Sequence, residues 1–272
     1  MSLRINTNIS AMNTHRAMET NDLAMSKSLE KLSSGLRINR AADDPAGLSI
    51  SETLRAQVKG LGQAEKNSQD GISLINTAEG ALNEISAILQ RMRELAVQSA
   101  NGTLTNTDRT ATDNEVQSLM SEIDNITSYT TFNGYQMLNS ATSTFTFQVG
   151  ANNGQTLVTT ITGTSTGGLT LTGMVTGTQP DAQAALLSLD AAIAAVSTIR
   201  SQLGAVSNRL EHTINNVRTS EENLSAAESR IRDVDMAAEM STMTRNQILM
   251  QSSTAMLAQA NAAPQSVLSL FK

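Results

Sequence analysis

From Ala182 to Lys272 the chain carries proline only at Pro264 and glycine only at Gly204, so almost nothing in this stretch breaks a helix. Apolar residues recur there at alternating steps of three and four: Leu189, Ile193, Val196, Leu203, Val206, Leu210, Val217, Leu224, Ala227, Ile231 and Val234. Thr213 and Ser220 continue the stripe with small polar groups. Such a heptad seam predicts a coiled-coil helix. At roughly 1.5 Å per residue the segment from Leu189 to Val234 would run about 70 Å. A helix of that length cannot bury its seam against itself, so it needs other long helices, from this chain or from its neighbours.

The rest of the sequence supplies them. Ser2 to Leu36 carries a narrow stripe of Ile5, Ile9, Met12, Met18, Met25, Leu29, Leu32 and Leu36. Asn39 to Gly47 breaks it, with Asp44 placed to cap and Pro45 to open a second helix. That helix runs from Leu48 to about Ala100, interrupted at Gly60 and Gly62 and resuming as a seam of Ile72, Ile75, Ala78, Leu82, Ile85, Leu89, Met92 and Ala96. Asn101-Gly102-Thr103 ends it. Asp108 or Thr112 then starts a short amphipathic helix through Val116, Leu119, Ile123 and Ile126, giving a helical hairpin. Beyond Val234 the seam continues through Met236, Met240, Met243, Met250 and Leu257.

Between these helices the composition changes. Residues 140–180 hold no charged side chain and are dominated by Thr and Gly. Phe145, Phe147 and Val149 alternate with polar residues, as do Leu157, Thr159 and Ile161, with Leu169 and Leu171 following. Short β-hairpins lying on the helices are expected. The fold class is therefore mainly α: long coiled-coil-like helices from both termini in an elongated bundle, with a small β-hairpin insertion. The termini, 1–44 and 231–272, pair as helical arms, and 45–230 forms an outer helical bundle that includes the insertion.

Chemistry is not expected. There is no cysteine, and the two histidines, His15 and His212, sit in no zinc-binding pattern. No serine has a base beside it, and Gly60-Leu61-Gly62 lacks the spacing of a phosphate loop. Neither a cofactor nor a metal is called for. A net charge of −6 argues against a nucleic-acid partner. No uninterrupted apolar run approaches ~18 residues, so no membrane span is expected. Met1 to Ile9 lacks the apolar core of a Sec signal, so an exported chain would need another route. The apolar tip Val267-Leu268-Ser269-Leu270-Phe271 calls for something to bury it.

Several long motifs resemble one family. Met1 to Ser10 and Leu32-Ser-Ser-Gly-Leu-Arg-Ile-Asn-Arg-Ala-Ala-Asp-Asp-Pro-Ala-Gly-Leu48 are similar to the N-terminal half of bacterial flagellins. So are Gln90-Arg-Met-Arg-Glu-Leu-Ala-Val-Gln98 and Phe132-Asn-Gly134 to the body. Leu203 to Leu210, Glu222 to Asp233 and Ala258 to Leu268 resemble the C-terminal half. The likeness covers nearly everything outside 140–180, where the family's large outer domains would lie, so these are expected to be absent.

The resemblance implies a structural subunit of the filament used for motility. It implies export through the flagellar type III apparatus with a chaperone gripping the C-terminal segment, and polymerisation between a cap and the hook–filament junction proteins. Ile5, Ile9, Leu29, Leu32, Leu36, Met243, Met250 and Leu257 would serve subunit assembly. Arg91, Leu95 and Glu115 fall where Toll-like receptors grip flagellins. Val267, Leu268 and Leu270 fall on the tip read by intracellular sensors, with Phe271 standing where an aliphatic residue is common. A junction protein that caps rather than polymerises, and a membrane-active amphipathic protein, are the alternative readings.

Overall fold

The computed structural model describes residues 7–139 and 141–268. The fold is mainly α: α1 (Ile9–Ser34), α2 (Pro45–Ser99), α3 (Asn106–Tyr129), α4 (Gln179–Arg232) and α5 (Met236–Leu268). Two antiparallel strand pairs complete it: β1 (Thr131–Phe132) with β2 (Tyr135–Gln136), and β3 (Thr142–Gln148) with β4 (Thr156–Thr162). The chain divides into two compact units, 1–56 with 223–272, and 57–222.

The larger unit is built on the heptad seam of α2. Leu82, Ile85, Leu89 and Met92 are fully buried against Leu189, Val196, Leu203 and Leu210 of α4 and Val116 and Ile123 of α3. A ladder of ion pairs sets the antiparallel register of α2 and α4: Arg93 with Asp190 at 2.7 Å, Glu79 with Arg200 at 3.8 Å and Glu65 with Arg218 at 2.6 Å. Apart from Glu65 these partners are substantially exposed, and exposed ion pairs contribute little, so the apolar seam carries the stability and the charges choose the register.

Several expectations change. Gly60 and Gly62 do not interrupt α2, which runs unbroken from Pro45 to Ser99. Gly60 makes room instead: a Cβ there would stand 2.9 Å from that of Ala151, in the turn joining β3 to β4. Gly71 does the same for Phe147 and Leu210. The hairpin therefore comes close to α2 at Gly60 and Gly71, and Asn67 between them donates to the Gln148 carbonyl at 3.1 Å. Alternation on the hairpin is as the sequence implies, with Leu157 and Ile161 buried and Val158 exposed. Leu169 and Leu171 do not form a strand; they are buried within a run of turns.

Asp113 and Asp124 of α3 hold that run in place. The Asp113 carboxylate accepts the Thr176 amide at 2.6 Å and its hydroxyl at 3.1 Å. Asp124 accepts the amide and the hydroxyl of Thr166, each at 2.8 Å. Gln117 donates to the Met174 carbonyl at 2.8 Å, on the same face of α3.

α3 starts earlier than expected. Its cap is Thr105, whose hydroxyl accepts the Asp108 amide while the Asp108 carboxylate accepts the Thr105 amide and hydroxyl, a reciprocal capping box. These bonds hold the Asp108 carboxyl below the usual range, the Thr105 hydroxyl contributing most and its amide next.

The C-terminal stretch is two helices, not one. The break falls at Asp233–Asp235. Asp235 accepts the amides of Ala237 and Ala238 at 3.0 and 3.1 Å and so caps α5. The seam alone runs both aspartates into one helix.

α4 also holds an 18-residue window of mean hydropathy 1.5, long and apolar enough by composition to cross a membrane. The expectation of no such segment counted uninterrupted apolar runs, and this window tolerates Ser and Thr. In the structure Ala185, Leu189, Ala192, Val196 and Ile199 of α4 are buried core residues.

Candidate assembly surfaces

In the smaller unit α1 and α5 pair antiparallel. The Asn8 side chain caps α1 and donates to the Ala260 carbonyl at 2.7 Å, and Asn21 donates to the Ser253 hydroxyl at 3.2 Å. The seam between them alternates Met and Leu with small or polar residues. On α1 it uses Ala11, Thr14, Met18, Asn21, Met25, Ser28 and Leu32; on α5 it uses Met243, Asn246, Met250, Ser253, Leu257 and Ala260. Among the described residues Ser28 is the only fully buried side chain of α1, and α5 has none. This pair buries little of its own apolar surface.

Further large apolar side chains of the pair point away from the seam. Ile9 is 55% exposed, Leu23 67% and Ile248 60%, and Met12, Leu29, Met240, Leu249 and Met256 are exposed as well. Spacing at 100° per residue puts Ile9, Met12 and Leu23 opposite the α1 seam. On α5 the exposed set surrounds the seam on both sides, leaving a shallow groove along Met240, Thr244, Ile248 and Leu249. Fully burying eight such residues would stabilise an assembled state by on the order of 10 kcal/mol.

The expected assembly residues therefore fall into two groups. Leu32, Leu36, Met243, Met250 and Leu257 are half-buried, and Ile9 and Leu29 face outward. Ile5 and Leu270 lie outside the described residues, as do the side chains of Val267 and Leu268.

The breaks in the two arms are stitched together. The Arg37 amide donates to the Arg232 carbonyl at 2.6 Å, and the Val234 amide to the Gly35 carbonyl at 3.0 Å. The Arg37 guanidinium also donates to the Ile231 carbonyl at the end of α4. Arg232 pairs with Glu52, and Arg55 with Glu228 at 3.1 Å. Gly35 ends α1 at φ +73°, a conformation costly to any residue with a Cβ. Asp44 caps α2, its carboxylate accepting the Gly47 amide at 2.9 Å. Asp43 accepts the amides of Arg40 and Asn39, which hold its carboxyl below the ordinary range.

In the larger unit Arg91 and Glu115 form a two-point pair, with the Arg91 Nε and Nη2 at 3.0 and 2.9 Å from Glu115 Oε1. Glu94 takes a third bond at 3.2 Å. Hydrogen bonding to Glu115 and then Glu94 raises the Arg91 pKa further. Leu95, expected beside Arg91 on the same surface, is not on it. It is 2% exposed and packs into the core, so it supports the pair from below rather than meeting a partner. One helical turn does not keep two residues on one exposure class when α3 lies over that edge of α2.

Sequence reasoning also overlooked Arg109. This buried guanidinium donates from Nε to the Ser99 carbonyl at 2.9 Å, from Nη2 to the Asn101 carbonyl at 2.9 Å, and from Nη1 to the Asn106 side chain at 3.0 Å. It satisfies the Ser99 carbonyl, which the end of α2 leaves without a helical partner, and braces the Asn101 carbonyl of the turn, and so fixes the turn that brings Glu115 to Arg91. The motif Thr105-Asn-Thr-Asp108 signalled the turn's end, and an arginine one residue after it was the available clue. Among the described residues there is no cluster of three metal-ligating side chains.

Residues 5–143 match the family model for the bacterial flagellin N-terminal helical region, and 186–271 match that for the C-terminal helical region. A flagellin of Halalkalibacterium halodurans is 53% identical over 270 residues, covering 98% of this chain and 99% of that protein. A flagellin of Bacillus subtilis is 49% identical over 307 residues, covering 99% and 100%. The crystal structure of Bacillus cereus flagellin is similar at a TM-score of 0.50 and 36% identity, covering 60% of this chain and 94% of that one. With paired terminal helices that leave their apolar faces uncovered and both family regions in order, the chain belongs to the bacterial flagellins, the structural subunits of the flagellar filament.

Proposed function

We propose that the terminal arms, 1–44 and 231–272, form the inner core of the filament, and that 45–230 forms its outer bundle. The observation that carries this reading is the mixed, sparsely buried seam between α1 and α5 set beside the uncovered Ile9, Leu23 and Ile248. A helix pair with apolar residues on several sides is stable where several neighbours surround it, as in a helical lattice of identical subunits. The chain leaves the cell through the flagellar type III apparatus, escorted by an export chaperone at its C-terminal segment. It then polymerises beneath the cap and on the hook–filament junction proteins.

Seeded growth tests this. Purified chain added to short filament fragments should extend them into long tubes seen by electron microscopy. Chains lacking Ser2–Arg40 or Met236–Lys272 should not extend them, and intact tubes from either truncation would overturn the assignment of the arms to the core.

Host recognition is the second part of the reading. Toll-like receptors contact the exposed Arg91–Glu115 pair, and intracellular sensors contact the tip at Val267, Leu268 and Leu270. Support comes from the exposure of the pair and its support by the buried Leu95. Reversing the pair, as Arg91→Glu with Glu115→Arg, should preserve the fold and abolish receptor signalling. Unchanged signalling would remove this part.

A further inference from the structure

From Asn125 to Pro180 no side chain carries a charge. Within this stretch the β1–β2 hairpin and β3 enclose an open cleft of about 530 Å³, lined by Thr131, Gly134, Tyr135, Gln136, Ser143, Thr144 and Phe145. Tyr135 is 68% exposed. Its position is fixed by the tight turn before it, where Asn133 and Gly134 both take positive φ. The Gln136 amide is already committed, donating to the Ser128 carbonyl at 3.1 Å and accepting from Asn139 at 3.2 Å. The hydroxyls of Thr131, Tyr135, Ser143 and Thr144 have no hydrogen-bond partner among the described residues, so all are available to a ligand.

These features select one ligand chemistry. An ion would enter a cleft with no counter-charge. A purely apolar molecule would strip water from several hydroxyls without replacing those bonds. A pyranose does neither. Its C–H face carries slight positive charge and suits the negative face of a tyrosine ring, while its rim of hydroxyls meets donors and acceptors. We propose that the cleft between the β1–β2 hairpin and β3 binds uncharged oligosaccharides, with Tyr135 as the stacking platform.

Saturation-transfer NMR on the full chain, kept unpolymerised, tests this with chitotriose and N-acetyllactosamine as probes and a sialylated trisaccharide as the charged comparison. Transfer to the C–H face of at least one neutral sugar is expected, with little to the charged one. The sugar that binds distinguishes a cell-wall-type from a mucin-type glycan. Tyr135→Ala should weaken binding roughly tenfold, the loss of one aromatic contact. Tyr135→Phe should retain most of it, and Tyr129→Ala, on an exposed aromatic outside the cleft, should change nothing. Thr144→Val, which keeps the strand, should weaken binding without touching the ring. No transfer to either neutral sugar at millimolar concentration, or equal transfer in Tyr135→Ala, overturns the proposal.

Discussion

Replacing Arg109 by methionine should loosen the turn between α2 and α3 without unfolding either helix. The guanidinium makes three hydrogen bonds, two of them to backbone carbonyls, those of Ser99 at the end of α2 and Asn101 in the turn. A hydrogen bond from a charged donor contributes about 1.5–3 kcal/mol, and such bonds in one cluster do not add in full. Methionine keeps the buried stem and removes the cost of desolvating a charge, which offsets part of the loss. A net cost of about 3 kcal/mol remains, roughly a hundredfold in a local opening constant. Native-state hydrogen exchange reads it at Ala100, Asn101 and Leu104, whose amides are bonded to Ala96, Gln98 and Asn101. Arg109→Lys keeps the charge but reaches only one acceptor well, so its effect should be about tenfold. Unchanged exchange at Leu104 in the methionine variant, or equal effects of Met and Lys, would refute the account of the turn.

Three further outcomes follow from other contacts. Leu23→Asp or Ile248→Asp should leave the thermal melt of the monomer nearly unchanged and raise the critical concentration for seeded growth by at least about tenfold, since one exposed side chain no longer contributes its ~2 kcal/mol in the lattice; growth at the wild-type concentration would count against the exposed faces. Thr164 is fully buried with a hydroxyl that has no partner among the described residues, so the isosteric Thr164→Val should raise Tm by about 2–4 °C, and a lowered Tm would mean the hydroxyl is satisfied. The folded-state pKa of Asp108 lies below its unfolded value, so its stabilisation is complete above the unfolded value and disappears as pH falls through the folded one. Exchange protection at the start of α3 should therefore fade below pH ~4 in the wild type and show no such dependence in Asp108→Asn.

Much of this architecture was legible because heptads are redundant. The α2 seam from Ile75 to Ala96 and the α4 seam from Leu189 to Leu210 each repeat one message many times, and a single misleading glycine does not erase it. Alternation likewise revealed β3 and β4. What the pattern could not show was set by single contacts. Gly60 reads as a breaker until Ala151 is found beside it. Asp233 and Asp235 read as positions within one continuous helix until Asp235 is seen accepting two amides. Leu95 shares a face with Arg91 on a helical wheel, but α3 decides which of them meets solvent. Assembly was legible as a need for partners, from narrow stripes and slim helices. Of the seam itself, Met18, Met25, Leu32, Met243, Met250 and Leu257 were legible from the stripes; the polar members were not, because Asn21, Ser28, Asn246 and Ser253 occupy places that an apolar rule assigns to their neighbours.

The stitch between Gly35–Arg37 and Arg232–Val234 has a genetic consequence. Because each arm's break donates one amide to the other's carbonyl, neither can change its backbone path alone. A bulky residue at Gly35 would shift the carbonyl on which the Val234 amide depends, almost two hundred positions downstream. Second-site revertants of a Gly35→Val motility defect should therefore concentrate at 231–235, near the opposite end of the coding sequence, rather than around the original lesion.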